Sequence, residues 1–565
     1  MRPSLTIALG FLVAAPLAAQ DPLPVTQLDT GLGISKYPSV ATDGSIVAAV
    51  WLEDGTNNLY CAASSDGGNT WGAAVQMDDG TGSSKWIYDY NLAVAGGSIY
   101  FAWRDQRNGS VEDTYFTASH DAGASWSADL RLDDGDAPGG TDVDSVKIAA
   151  AGSDVHVIQR VNASSGESLF YLGSSDRGAT WGSLTQVDNG GGDIDYEAVA
   201  ASGAGVHIAW CDNRNSSDDD LFYSHSHNFG ASWMVDNAQL DGSGPGSGDI
   251  EGTEIHLSVS GNDGNIMEGI VSIAWQEDET PNNASDEEVH AIVSLDGGHT
   301  FGPDTTLQGG FDGDNHFGAA HWKVNDPGSL PTSVVTWEDN RSGSDEVYAA
   351  VSTDGGVTWS ESQLGTGGTY PISRAGLNHI GVGYSGFGFP ENPMMSTSSD
   401  RGATWAEMDM AQGQQAGDAD YTEFCFTDEP LETFVGVWLS DDLGQNQAYA
   451  GGGYFTPPSG FSLSISGLAA GGSATIAAAG ARSGNTVIAA YSLVGGGPTN
   501  TVVGPVDLTP PIKQLPSMTA DSIGNASITV NVPPSASGVS VWMQAVDLDP
   551  VNGHVLSNSL AEVVG

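Results

Sequence analysis

Ser64-Ser65-Asp66-Gly67-Gly68-Asn69-Thr70-Trp71 decides the fold, because the same eight-residue pattern returns six more times. It reads SHDAGASW at 119–126, SSDRGATW at 174–181, SHNFGASW at 226–233, SLDGGHTF at 294–301, STDGGVTW at 352–359 and SSDRGATW at 398–405. The shared form is Ser-x-Asp-x-Gly-x-Thr/Ser-Trp, with Asn228 in place of the acid once and Phe301 in place of the indole once. Successive aromatic positions are 55, 55, 52, 68, 58 and 46 residues apart, a spacing that suits one sheet per repeat. The residue types are those of a turn. The Asp accepts hydrogen bonds from its own turn backbone, Gly supplies a backbone conformation closed to other residues, and the aromatic ring packs back between sheets.

Outward from each turn the hydrophobic pattern alternates with period two, which is the pattern of strands. Segments 45–51, 98–103, 206–210, 271–275 and 333–337 each end in Trp and read as second strands. Segments 59–64, 114–119, 169–174, 221–226, 289–294 and 346–352 read as third strands running into the turn, and short stretches such as 73–77 and 183–187 as outer strands. Four short strands per unit, repeated radially, make a β-propeller. The last unit lacks the turn motif, but 427–439 and 447–451 read as its inner strands. Its outer strand is expected from the N-terminus, where Pro24-Val25-Thr26-Gln27-Leu28-Asp29 matches Ser183-Leu184-Thr185-Gln186-Val187-Asp188. Such closure leaves no free sheet edge. The expectation is an all-β chain with an eight-bladed propeller over 21–455. Seven blades is the alternative, because the unit at 370–410 is short.

The ends differ from this body. Arg2, the apolar run from Leu5 to Ala15 and the small residues Leu17-Ala18-Ala19 read as a signal peptide over 1–20, so export to the cell surface or medium is expected. No second apolar run of spanning length follows. Beyond Pro457-Pro458, residues 456–565 are rich in Ala, Gly, Ser and Val and read as a small β-sandwich with an attachment or spacer role. Cys61, Cys211 and Cys425 are too few and too scattered for a disulfide framework and read as buried thiols.

Charge narrows the function. With 71 Asp and Glu against 16 Lys and Arg, the formal net charge of the 565 residues is −55. A phosphate backbone is repelled by such a surface, so nucleic acid is excluded as a partner. A monomer that meets a glycan or cell-surface polysaccharide is expected instead.

The seven turns resemble the Asp-box (BNR) repeats of the sialidase-like β-propeller superfamily, over about 430 residues. The C-terminal part resembles β-sandwich modules of secreted bacterial proteins. The superfamily holds exo-sialidases, other glycan-active propellers and secreted proteins without known chemistry. A sialidase-like site implies an arginine cluster gripping a sugar carboxylate, a Tyr nucleophile activated by Glu, and an acid/base Asp. The place of the family's Arg-Ile-Pro reads Lys36-Tyr37-Pro38, which keeps the charge but not the planar fork. Arg374 is a candidate second member, with Arg104 or Arg160 as a third. Tyr196 with Glu197, or Tyr421 with Glu423, is the candidate nucleophile pair.

Two repeated elements stand beside that resemblance. Acid-x-acid pairs precede five inner strands: Asp142/Asp144, Asp193/Asp195, Asp249/Glu251, Asp312/Asp314 and Asp418/Asp420. Equal offsets in successive blades place them in a ring at one face, where oxygen ligands suit Ca²⁺; His256 and His316 nearby would admit a transition metal. A solvated acidic rim is the alternative. Asp105-Gln106-Arg107, Asp212-Asn213-Arg214 and Asp339-Asn340-Arg341 recur after strand-ending Trp residues, and three copies point to architecture rather than chemistry. Trp86, Tyr88, Tyr90, Tyr196, Trp322, Tyr370 and Tyr421 lie near inner-strand starts, where rings suit sugar stacking or inter-blade packing. The functional expectation is a carbohydrate- or surface-binding propeller. An exo-acting glycoside hydrolase and a structural envelope or matrix protein are the alternatives.

Overall fold

The computed structural model describes residues 20–29, 33–79, 87–132, 137–163, 166–190, 192–215, 218–234, 237–242, 250, 255–260, 269–278, 287–311, 317–322, 330, 332–341, 343–365, 367–376, 379–386, 391–413, 419–427, 433–441, 446–455, 461–481, 485–496, 498–501, 504–520, 525–548, 555–557 and 560–565. These residues are all-β, and their one helical turn is the short 3-10 element Pro534–Ala536. No helix among them is long and apolar enough to cross a membrane.

Seven sheets are four-stranded antiparallel meanders in chain order. One runs through Ile194–Ser202, Gly205–Asp212, Asp220–Ser226 and Ala238–Gln239. Strand periodicity explains the layers: the middle strands bury both faces, as in Gly205–Asp212, where every residue is buried. Such a strand must be covered on two sides, and the neighbouring sheets supply both covers. The fully buried Trp103, Trp210, Trp275, Trp337 and Trp438 all sit on second strands. The first strands pack on one another in order, from Ile34–Thr42 through Ile87–Ala95, Asp142–Ala151, Ile194–Ser202, His256–Ser260, Phe317–Trp322, Gly368–Ala375 and Ala419–Thr427. Ala419–Thr427 then packs back on Ile34–Thr42.

That last sheet takes its outer strand from the chain start. Gln20–Pro22 and Thr26–Gln27 pair antiparallel with Gln447–Phe455, with Thr26 opposite Ala450 and Gln27 opposite Tyr449. Asp29 completes the closure by accepting from the Ala448 amide at 2.7 Å. Asp188 does the same for the Leu169 amide and Asp78 for the Leu59 amide, so the sequence match between 24–29 and 183–188 is a match of hydrogen-bonding roles. The stretch 427–439, expected as one strand, is divided between Ala419–Thr427 and Thr433–Ser440.

All seven repeated turns fold alike. Ser174 Oγ donates to Asp176 Oδ1 at 2.8 Å and accepts from the Gly178 amide at 2.9 Å, while Asp176 takes the Thr180 amide and hydroxyl at 2.8 and 2.7 Å. These bonds, Thr180's hydroxyl first, hold the Asp176 carboxyl below its usual range. Asn228 keeps the geometry, with its amide donating to Ser232 Oγ at 2.8 Å. The closing ring packs on the preceding sheet: Trp181 meets Phe116 edge-on at 5.0 Å, Trp233 meets Tyr171 at 4.9 Å and Phe301 meets Tyr223 at 5.0 Å.

Beyond 461, Ser462–Ser466, Ser473–Ala479 and Ala526–Asn531 form one sheet, and a second is built on Thr486–Ser492 and Ser540–Leu548. Leu463, Ile476, Val487, Ala489, Met543 and Ala545 from both sheets share one buried cluster. Cys61, Cys211 and Cys425 are free and buried, as the sequence led one to expect.

Candidate functional site

Strand register places the first-strand starts opposite the repeated turns. Ile194 pairs with Asp212, which pairs with Asp220 at the start of the third strand, whereas the turn follows Ser226 at its far end. At the first-strand starts the ladders break. Register shifts fall between Lys36 and Ser39, Ile87 and Asp89, Val143 and Ser145, Asp195 and Glu197, Thr369 and Ile372, and Asp420 and Glu423. A bulge inserts an unpaired residue and re-aims its side chain. In five of these six, Tyr is the first residue at the break: Tyr37, Tyr88, Tyr196, Tyr370 and Tyr421. In the sixth it is Asp144.

Three of the tyrosines carry backbone strain. Tyr37, Tyr196 and Tyr370 have φ of 49°, 42° and 56°, a region costly for any residue with a bulky side chain. Their side chains are 51%, 36% and 48% exposed, unusual for large rings in a chain whose other aromatics are mostly packed. The side chains of Tyr88 and Tyr421 lie outside the described residues. Sequence reading took Tyr37 only as part of a displaced Arg motif. The missed signal was the recurrence of Tyr as the first residue in five of the six breaks.

Neighbouring sheets hold the bulges in place. Arg104 donates to the Val143 carbonyl at 3.0 Å and lies 3.5 Å from Glu112. Arg160 donates to the Ile194 carbonyl, sits 3.2 Å from Asp195 and 3.7 Å from Glu197. The Tyr370 amide donates to Glu338 at 3.2 Å, the Tyr90 hydroxyl bonds the Tyr37 carbonyl, and Cys211 Sγ donates to the Asp195 carbonyl at 2.9 Å. Glu423 accepts from Ser39 Oγ at 2.9 Å and the Val40 amide at 3.2 Å. In each contact a side chain of one sheet fastens backbone or side chain at a strand start, four of them reaching across to the next sheet.

The residues proposed to grip a carboxylate therefore have separate occupations. Lys36 pairs with Asp54 at 3.0 Å, Arg104 and Arg160 bracket different bulges, and Arg374 donates to the Ser373 carbonyl at 3.0 Å near the other end of its strand. Tyr196 and Glu197 diverge across the bulge: the ring is exposed while the Glu197 carboxylate is buried beside Arg160. Burial, with Asp195 next, raises the Tyr196 hydroxyl above its ordinary value, the reverse of an activated nucleophile.

Of the ten acids proposed as a metal ring, Asp249, Glu251, Asp312, Asp314 and Asp418 lie outside the described residues, as do His316 and the side chain of Asp420. Asp193 accepts from the Asn213 amide through its carbonyl at 3.3 Å, and Asp195 faces Arg160. Asp142 accepts the Glu112 amide at 2.9 Å. Burial, then a hydrogen bond shared with Asp142, raises the Glu112 carboxyl. Burial likewise raises Glu167, which shares a bond with Asp144. Glu112 and Glu167 therefore each hold a proton more tightly than an isolated glutamate. His256 begins a first strand and is half-buried.

The three Asp-x-Arg elements are structural, as expected. Arg107 forks onto Asp105 at 2.9 and 2.6 Å and reaches Asp129 at 2.7 Å. Arg214 forks onto Asp212 and Arg341 onto Asp339. The guanidinium groups lie 4.0, 4.0 and 4.1 Å from the ring centres of Tyr115, Phe222 and Tyr348.

No protein-family model matches this sequence, and no curated protein does. Solved structures do align with it. A PL25 ulvan lyase aligns at 12% identity and a TM-score of 0.40, covering 65% of this chain and 93% of its own. The α-L-arabinanase of Penicillium chrysogenum gives 11%, 0.36, 57% and 93%. The GH93 α-L-arabinofuranosidase of Fusarium graminearum gives 11%, 0.37, 66% and 95%. Nothing of these proteins' activities transfers at such identities, and the fold stands on its own sheets.

Proposed function

We propose that this chain is a secreted, eight-bladed Asp-box propeller with a C-terminal β-sandwich, which binds a carbohydrate polymer as a monomer at the bulged face. The cyclic packing of first strands supports the blade number, and the shared core of the two C-terminal sheets supports the sandwich. The observation that carries the function is the set of exposed, strained tyrosines Tyr37, Tyr196 and Tyr370 at equivalent bulges. Rings held open against solvent at a cost in backbone strain are platforms for the apolar faces of sugars, and the flanking carboxylates accept from sugar hydroxyls. A net charge of −55 favours neutral glycans over polyanions. Titrating a panel of neutral and uronate polysaccharides by calorimetry tests this. Replacing Tyr37, Tyr196 or Tyr370 by Ala should weaken the best ligand by about 2–10-fold per ring. Unchanged affinity in the triple variant overturns the reading.

A glycan-cleaving activity is the second reading, favoured by Glu112 and Glu167. A carboxyl whose hold on its proton is strengthened suits a general acid. New chain ends released from the bound polysaccharide, and lost in Glu112→Gln or Glu167→Gln, would establish it. Calcium belongs to the same face. At Asp142–Glu112 and Asp144–Glu167 a hard cation would take the place of a shared proton. Melting in calcium, magnesium and chelator at fixed ionic strength tests this. Asp142→Asn/Asp144→Asn should abolish a preference for calcium, and equal melting in all three solutions leaves the acids as a solvated rim.

A further inference from the structure

At the opposite face, where the repeated turns lie, three histidines converge. His225 is the sixth residue of the strand Asp220–Ser226, His227 follows in the turn Ser226–Trp233, and His299 stands in the next sheet's turn, Ser294–Phe301. Alternation along the extended chain puts His225 and His227 on one side, and His207 lies opposite His225 in the ladder on that same side. The ring centres of His225 and His227 are 4.4 Å apart, those of His227 and His299 4.6 Å, and those of His225 and His299 5.2 Å. One ligating nitrogen from each lies within 4.8 Å of the other two.

We propose that His225, His227 and His299 bind a late first-row divalent cation of the zinc type, bridging two adjacent sheets on the turn face. Three imidazoles and no carboxylate make a borderline-soft donor set, which suits zinc, copper, nickel or cobalt and not calcium or magnesium. Around a tetrahedral zinc the nitrogens stand about 3.4 Å apart, so small ring rotations close the site. His299 is exposed and His227 half-buried, which gives both rings room to turn. Three protein ligands leave the fourth position to water.

Two features prepare the site. His225 is only 6% exposed, and its Nδ1 has no hydrogen-bond partner, so a buried donor atom faces its neighbours unused. The turn that carries His227 is also the one in which Asn228 stands for Asp. That exchange keeps the turn's bonds and leaves no turn carboxylate next to His227 in the all-imidazole cluster. Behind the cluster, His207 is held by the Tyr223 hydroxyl at 2.6 Å and stacks on His225 at 6.1 Å. It acts as a positioning residue.

With 71 acidic residues, nonspecific zinc uptake is the confounder, so the probe must report ligand type. Chelator-stripped full-length protein is titrated with cobalt(II) and then zinc. The expected result is one tight equivalent, with the visible absorption of four-coordinate cobalt bleached by zinc, and melting that rises with the logarithm of free zinc. His227→Gln/His299→Gln removes two outer ligands without opening the core. It should melt normally in chelator, lose the cobalt band and bind at least ~100-fold more weakly. Asp142→Asn/Asp144→Asn, at the other face, should keep the band. Only weak, octahedral cobalt in the native protein, or a band that survives in the histidine double variant, overturns the assignment.

Discussion

At the scale of single residues, the repeated turn and the bulge tyrosine both use positive φ. In the turn, positive φ falls on the shared glycine, as at Gly178 and Gly402, where it costs nothing, and also on the residue before it, Arg177 and Arg401. At the bulge it falls on Tyr196, where it costs on the order of 1–3 kcal/mol. A comparison of two substitutions isolates that strain. Both Tyr196→Ala and Tyr196→Gly remove the ring and its contacts, but only glycine relaxes the backbone. Glycine is therefore expected to be the more stable of the two by about 1 kcal/mol, against the usual order. Chemical denaturation of the pair decides it. A more stable alanine variant would mean the bulge adapts without strain. The turn was legible in the sequence, because its Ser and Asp side-chain hydrogen bonds all close within six residues. The bulge was not, because a register slip depends on which residue the neighbouring strand opposes.

At the scale of elements, short repeated segments are legible when they contact themselves and opaque when they reach across. The three Asp-x-Arg clamps announced an architectural role by repetition alone. Their arginines fork back two residues and lie over rings of the same sheet. Arg104 and Arg160 were read instead as members of a substrate clamp, because nothing local shows that each brackets the next sheet's bulge. Asp129 as a partner of Arg107 was equally hidden, being 22 residues away. Its burial drives its carboxyl up to about 6 even with the guanidinium beside it. Burial also grades the clamps. The Arg107 side chain is 8% exposed and that of Arg341 30%. Arg107→Ala strands two buried carboxylates and should cost about 3–5 kcal/mol. Arg341→Ala admits water to Asp339 and should cost about 1–2 kcal/mol. Equal losses in denaturant titrations would show that burial does not set the worth of these pairs.

At the scale of the whole molecule, a ring of sheets has one vulnerable joint, where the strands at 20–27 meet Gln447–Phe455. The match of 24–29 to 183–188 revealed that joint from sequence because one strand position, held by Asp29, Asp78, Asp188 and Asp241, performs one chemical task in four of the sheets. The proposed metal ring shows no such recurring bond: Asp142, Asp144 and Asp195 each meet a different neighbour, and of the other acids only the Asp193 side chain lies within the described residues. At the joint, Leu23 and Leu28 are buried among Val435, Val437, Ala448 and Ala450. Their amides donate to the Gly452 and Ala448 carbonyls at 2.9 and 2.8 Å. Burying each leucine is worth about 1.5–3 kcal/mol, and the hydrogen bonds add about 1 kcal/mol each. Deleting residues 21–29 removes these terms and exposes the edge of Gln447–Phe455. The truncated protein should melt earlier and self-associate through that edge. Asp29→Ala loses the bonds from Ala448, Ser35 and Gln27, at 2.7, 2.6 and 2.8 Å, but keeps the paired strands, and should melt modestly earlier while staying monomeric. Calorimetry with size-exclusion chromatography separates the two effects. A truncated chain that melts like the intact one and elutes as a monomer would show that the ring does not depend on this strand. A point variant that aggregates as readily as the deletion would place the joint's strength in Asp29 rather than in the paired edge.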